Sequence, residues 1–347
     1  MSNSKSLKIW VSGGSFDNTG ECFIQEVDVF QKTKSDIIRF APPNSLLVPR
    51  KGFTGACWMG KARKSDLLVC GFSALFRFSP PNWKLTGILH QPCMNDLHHV
   101  AVCDQKIYIV NTGLESIDIF DILGVYQGSF SFHPAWINKE RLNGITPSRK
   151  EWVPLLEVGW QERSFSITDD PPDEEYYQSD KSNFHQKIIK DFIHLNHITI
   201  LPSQILVTSL SHKCVYDVSN FNKRIEITNG YPHDGIVYNN HFWITCVDGT
   251  IIAYKIEHGI VTNKISYTKN IFEHTNNRGW CRGILIQDNY AVIGITKIYN
   301  STQHYWAPYH QDSTKTGIIC WDFNSNQELS FVDLSENESK IFSILKI

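Results

Sequence analysis

A unit of four short strand-like runs recurs along this chain at about the 40-residue spacing of a propeller blade, and this narrows its folds more than anything else in the sequence. The clearest copy runs from Asp96 to Phe132. Leu97-His98-His99-Val100-Ala101-Val102 reads as a first strand, and Cys103 to Lys106 as a tight turn. Ile107 to Asn111, Ser116 to Asp121 and Gly124 to Phe132 follow as three more strands. The same unit can be laid over Phe53 to His90, His194 to Thr228, Pro232 to Tyr267 and Trp280 to Leu334. Long helical periodicity is scarce.

The two ends complete the count. Lys8 to Val11, Phe23 to Val27 and Asp36 to Phe40 make three strands that need a fourth, and Ile341 to Leu345 is a strand without a blade. Joining them gives an all-β, six-bladed β-propeller closed by its own N- and C-terminal strands. Closure removes the exposed sheet edges that an open array would leave. Five or seven blades are the alternative counts, and two stacked sandwiches the alternative architecture. The expected organisation is one domain over residues 1–347, with an insertion at 132–193 covering the upper face. That face is the one at which the chain passes into each innermost strand. The 296–315 loop, with Tyr299, His304, Tyr305, Trp306, Tyr309 and His310, is expected on the same side.

Composition bears on partners and compartment. With 33 Lys and Arg against 35 Asp and Glu, and only Lys61 to Lys64 as a dense basic run, the chain lacks a nucleic-acid footprint. No apolar stretch approaches membrane-spanning length, and Met1 to Leu7 is polar, so no membrane partner and a cytoplasmic location are expected. Nine cysteines without framework spacing read as reduced thiols, most of them inside apolar runs. Ser12-Gly13-Gly14-Ser15 reads as a turn, since no helix follows it to bind phosphate.

Aligning the first strands by their turns places four polar dipeptides in register: His98-His99, Asn196-His197, His233-Asp234 and Arg282-Gly283. Apolar residues follow each pair. Polar groups so near a core are costly unless they pair with one another, with water or with a ligand. Side chains alternate along a strand, so two sets are open. One groups His99, His197 and Asp234, a two-histidine, one-carboxylate set suited to one divalent metal, Fe, Zn or Mn. The other groups His98, Asn196, His233 and Arg282 as a metal-free catalytic set, with histidine as acid or base and arginine holding an anion. Neither set has priority on sequence grounds. His90, His133, His185, His194, His212, His241, His258 and His274 are scattered and read as surface or packing residues.

These dipeptides, together with Asn111-Thr112-Gly113 and Pro232, resemble an uncharacterised family of bacterial β-propeller proteins, over most of the stretch from Phe53 to Lys297. A more distant likeness is to aryl sulfotransferase-type propeller enzymes, which place His and Arg at the axis. The resemblance implies a propeller and weight on the His and Arg positions, with no activity attached. The leading expectation is a propeller enzyme acting on a small molecule or modified peptide at the upper mouth, with natural-product tailoring as one such role. A peptide- or glycan-binding module is the first alternative, and a metal-free sulfuryl or acyl transferase the second.

Overall fold

The computed structural model describes residues 6–132, 193–298 and 314–347, apart from positions 16, 18, 45, 49, 50, 92, 93, 219, 221, 222, 337 and 338. The expectations for the 132–193 insertion and for the aromatic 296–315 loop therefore lie almost wholly outside the described residues. No described helix is long and apolar enough to cross a membrane.

Twenty-four strands are described, in six four-stranded antiparallel sheets. The first sheet takes β1 (Lys8–Ser15), β2 (Cys22–Asp28) and β3 (Thr33–Phe40) from the N-terminal end. The second is β4 (Ala56–Trp58), β5 (Leu67–Cys70), β6 (Ala74–Ser79) and β7 (Lys84–His90). The third is β8 (Leu97–Cys103), β9 (Lys106–Asn111), β10 (Ser116–Asp121) and β11 (Tyr126–Ser131). The fourth is β12 (Leu195–Leu201), β13 (Gln204–Ser209), β14 (Cys214–Asp217) and β15 (Arg224–Glu226). The fifth is β16 (Pro232–Tyr238), β17 (His241–Cys246), β18 (Thr250–Glu257) and β19 (Ile260–Asn270). The sixth is β20 (Trp280–Gln287), β21 (Tyr290–Thr296), β22 (Gly317–Asp322) and β23 (Gln327–Asp333). Strand β24 (Ser339–Lys346) then pairs antiparallel with β1 and becomes the innermost strand of the first blade.

The inner strands β24, β4, β8, β12, β16 and β20 touch in that order, and β20 touches β24 again. The array is therefore a closed six-bladed propeller, and two stacked sandwiches are excluded. Six hydrophobic clusters follow, one between each pair of adjacent blades. Alternation explains why strands here are apolar on both faces. Leu67 and Val69 turn toward the first blade, while Leu68 and Cys70 turn toward the third.

Short turns on the lower face let the inner hairpins close. Asn239 and Asn240 both have positive φ (46° and 55°), as a two-residue primed turn requires, and Asp104 and Gln105 repeat this at 48° and 61°. The Ser12 to Ser15 run is strand, not turn. A Cβ on Gly13 would lie 2.2 Å from the Lys340 carbonyl, and one on Gly14 2.4 Å from Gly52 Cα, so the glycines serve close backbone approach.

Each blade is also tied to the next by a hydrogen bond near the top of the inner strands. Ser12 Oγ donates to the Thr54 carbonyl (2.5 Å), and Thr54 Oγ1 to the Leu97 carbonyl (2.6 Å). Thr112 Oγ1 donates to Leu195 (2.5 Å), and Thr208 Oγ1 to His233 (2.5 Å) while accepting from the His197 amide (3.0 Å). The Cys281 amide donates to Val247 (3.0 Å), and Thr296 Oγ1 to Ile341 (2.9 Å). Because Ile341 is fully buried at the seam between the sixth and first blades, Ile341→Ala should destabilise the protein by about 2–5 kcal/mol. Exposed Lys346→Ala should stay within about 0.5 kcal/mol. Urea denaturation of the two variants checks this contrast.

Candidate functional site

Five of the six inner strands carry a register shift at the same level, and the polar dipeptides sit on it. In β8, Leu97 faces Asn111 and His99 faces Val110, so His98 is extra. In β12 and β16 one residue is extra among Asn196-His197 and among His233-Asp234. In β20 it is Gly283, and in β24 it is Phe342. Bulges bend a strand and re-aim its side chains. Gly283 has a φ of +27°, and a Cβ there would meet Ile344 Cγ1 at 3.0 Å, so glycine is what lets β20 pass β24 at this level.

The bulges divide the dipeptides between two environments. His99, His197 and Asp234 line a cavity of about 290 Å³ together with Ala56, Ile284 and Ser343, one residue from each inner strand. That lining puts the cavity on the propeller axis. His98, Asn196, His233 and Arg282 do not line it.

The second set is drawn together. His98 Nδ1 lies 2.8 Å from Asn196 Oδ1, and Asn196 Nδ2 donates to the His194 carbonyl (3.4 Å), so the ring nitrogen is the donor. His98 and His233 have ring centroids 6.5 Å apart. Arg282, 8% exposed, is stacked between Trp280 and Phe342, its Cζ 4.4 and 4.1 Å from the ring centroids. Among the described residues nothing accepts from its Nε or Nη1, and both atoms are shut off from solvent. A guanidinium so placed gives up hydration without replacement.

The two sets meet at one hydrogen bond. His233 Nδ1 donates to Asp234 Oδ1 at 2.7 Å, with both side chains buried. The bond fixes the Nδ1–H tautomer and leaves His233 Nε2 with a lone pair.

The first set packs differently. His99 and His197 lie face against face, centroids 3.7 Å apart and 34° from parallel, so ring faces rather than nitrogen lone pairs meet. Among the described residues, no group of three or more His, Cys, Asp or Glu is placed to hold a metal ion.

Four residues absent from the sequence-derived sets surround the upper one. Asp96 accepts from Lys51 Nζ at 2.8 Å and stands 3.6 Å from His98 Nε2. His194, read from sequence as a packing residue, has its ring centroid 5.0 Å from that of His98. Lys340 is buried, with Nζ 5.3 Å from the Phe342 ring centroid on which Arg282 also stacks. A signal was available. Asp96 and His194 stand just ahead of two aligned inner strands, and Lys340 is the second residue of β24, whose Phe342-Ser343 is the pair equivalent to the dipeptides.

Burial dominates the electrostatics. It lowers His99 to about 4 against the pull of Asp234, and holds His197 well below the usual range with help from His99 and His233. Burial and the Arg282 charge hold His233 well down, and burial lowers His98 although Asp96 opposes it. Asp234 is pushed up to about 6 by burial, despite His99, Arg282 and the Gly283 amide. Burial would raise Asp96, but Lys51 and His98 outweigh it and keep that carboxyl well below the ordinary range. Arg282 is lowered to about 10 by burial. Lys340 falls well below its usual value through burial and the nearby Lys51 and Arg282 charges.

No protein-family model matches this chain, and no curated protein sequence matches it. Solved structures do. A Bacteroides caccae protein of unknown function superposes with a TM-score of 0.57 at 9% identity, covering 98% of both chains. A Bacteroides fragilis protein provisionally assigned as a 6-phosphogluconolactonase gives 0.53 at 11% identity, over 99% of this chain and 98% of that one. A chain of the nidogen/laminin complex gives 0.50 at 10% identity, over 98% and 97%. At such identities these likenesses establish the β-propeller fold alone.

The buried histidines set the acid limit of stability. In the unfolded chain they take up protons near 6.5, whereas folded His99 resists until about 4. The unfolded state therefore binds more protons in that window, and stability falls as pH drops below about 6.5. His99 alone contributes about 3 kcal/mol to this loss, while Asp234, raised when folded, opposes it between about 6 and 4. Urea midpoints should decline from pH 7.5 to pH 5, and less steeply in His99→Asn.

Proposed function

We propose that this protein is a propeller enzyme acting on an anionic small molecule or modified peptide at the upper mouth of the axis, by metal-free acyl or sulfuryl transfer. The observation that carries the reading is Arg282, a buried guanidinium with unpartnered Nε and Nη1 within electrostatic reach of the His233–Asp234 pair. Arginine held between two aromatic faces is pre-oriented, and its edge donors match a carboxylate, sulfate or phosphate. His233, kept neutral and in the Nδ1–H tautomer, offers Nε2 as the base that takes a proton from an attacking hydroxyl. Asp234 then stabilises the imidazolium that forms, which gives the proton to the oxygen of the departing group as that oxygen's bond to the acyl carbon or sulfuryl sulfur breaks. Lys51, paired to Asp96, is a further cation on the same side. One of these fold neighbours is provisionally assigned as a 6-phosphogluconolactonase. This accords with an anion-holding arginine, though the reading rests on the residues.

The proposal has a stability signature. A structural arginine destabilises the fold when removed, whereas one that awaits an anion is a desolvated, unpaired charge. Arg282→Met should melt at or above the wild-type temperature in sulfate-free buffer. It should also lose the rise in melting temperature that sulfate or phosphate gives the wild type.

Turnover of 4-nitrophenyl acetate and 4-nitrophenyl sulfate tests the chemistry. His233→Gln should retain the sulfate-induced stabilisation but lose about 10²- to 10⁴-fold in rate. Sulfate stabilisation with no turnover of either probe favours the peptide- or glycan-binding module instead. Stoichiometric Fe, Zn or Mn in untagged protein, lost in His197→Ala, favours the metal-dependent form through His99, His197 and Asp234.

A further inference from the structure

Lys340 has no part in the chemistry above. It stands opposite Gly14 in the β1–β24 pairing, and a Cβ on Gly13 would lie 2.2 Å from its carbonyl, so its backbone is closely held. Ile341, the next residue, turns into the seam between the sixth and first blades. Alternation then sends Lys340 and Phe342 to the other side of the strand. There the Lys340 Nζ lies 5.3 Å from the Phe342 ring centroid, and the Arg282 Cζ lies 4.1 Å from the same point. The amine and the guanidinium are no farther apart than those two distances together, within the span of one small molecule. Lys340 is 3% exposed, so its amine is held out of bulk water.

A second lysine on this side makes the contrast. Lys51, half-buried, donates to Asp96 at 2.8 Å and is an ion-pairing residue. Lys340 has like charges about it. Burial, then the Lys51 and Arg282 charges, hold its amine well below the usual value, outweighing Cys22 and Asp96. An amine that sheds its proton keeps a lone pair on nitrogen, which addition to a carbonyl requires. The nearby Cys22 thiol is pushed up to about 12 by burial, so it does not compete as a nucleophile.

We infer that Lys340 is a nucleophile for small oxo acids, its amine condensing with the carbonyl to an imine while Arg282 holds the carboxylate. The nitrogen lone pair adds to the carbonyl carbon, and a proton passes from nitrogen to oxygen. The carbinolamine then loses that oxygen as water and leaves a carbon–nitrogen double bond, so no further reactant is needed. The inference rests on the anion-holding role of Arg282 and adds the group that meets the other end of the ligand. An oxo acid answers both at once. Its carboxylate accepts from the unpartnered Nε and Nη1, and its carbonyl is the electrophile.

Reductive trapping on the wild-type protein tests it. Pyruvate carries its carbonyl next to the carboxylate, and levulinate carries it two methylenes away. Each is incubated at pH 7.5 with sodium cyanoborohydride, which reduces an imine to a stable amine. Peptide mass mapping should find the adduct of at least one of them on Lys340, formed faster than on the exposed Lys264. Butanone, which lacks the carboxylate, should label Lys340 about tenfold less, and Arg282→Met should lower oxo-acid labelling by about the same factor. Sulfate should suppress the adduct at concentrations that raise the melting temperature. Neither adduct on Lys340, or labelling there no faster than on Lys264, overturns the inference. If sulfate still stabilises that protein, the anion reading stands without it. Equal labelling by butanone, or undiminished labelling in Arg282→Met, overturns it as well.

Discussion

Seven residue pairs join β1 to β24, from Ile9 opposite Lys346 to Ser15 opposite Ser339, and this pairing holds the two ends of the chain in one sheet. Everything on the axis depends on it. Without β24 the first blade would expose the edge of β1, and the seam that Ile341 and Ile344 fill would open. Phe342, the ring on which Arg282 and Lys340 both lie, comes from the same strand. Ring closure and site assembly are thus one event. Arg282 gains the Phe342 ring only when β24 is in place.

Around the closed ring the repeated bulge does the sorting. A regular inner strand would send alternate residues to alternate neighbouring blades, where only apolar side chains are tolerated. One extra residue per strand lets polar side chains occupy that level. The interblade hydroxyls of Ser12, Thr54, Thr112, Thr208 and Thr296 then take up the carbonyls nearby. The outcome is a buried polar layer with separate upper and axial sides. Asp234 belongs to both, since it lines the axial cavity while holding His233.

Much of this was written in the sequence. Hydrophobic alternation and the spacing of turns gave five complete blades, and the leftover strands at the two ends gave the sixth. Alternation offered His98, Asn196, His233 and Arg282 as one set and His99, His197 and Asp234 as the other, without saying which faces the axis. What alternation hid was the bulge, which is a property of pairing and not of any one strand. It also hid Lys51, Asp96 and Lys340, because each is an ordinary charged residue until a neighbouring blade covers it. The Gly13-Gly14 pair was misleading for a related reason. Two adjacent glycines mark a turn or a close approach equally well, and only the position of Gly52 and Lys340 decides.

The central claim is that burial keeps a neutral, Asp234-oriented imidazole next to an unsatisfied guanidinium. Nitrogen-15 chemical shifts of the His233 ring, followed from pH 8 to pH 5, test it most directly. The account predicts a protonated Nδ1 and a bare Nε2 across the whole range, with no titration midpoint near 6.5. An imidazole that titrates with an ordinary midpoint, or one carrying its proton on Nε2, would contradict it.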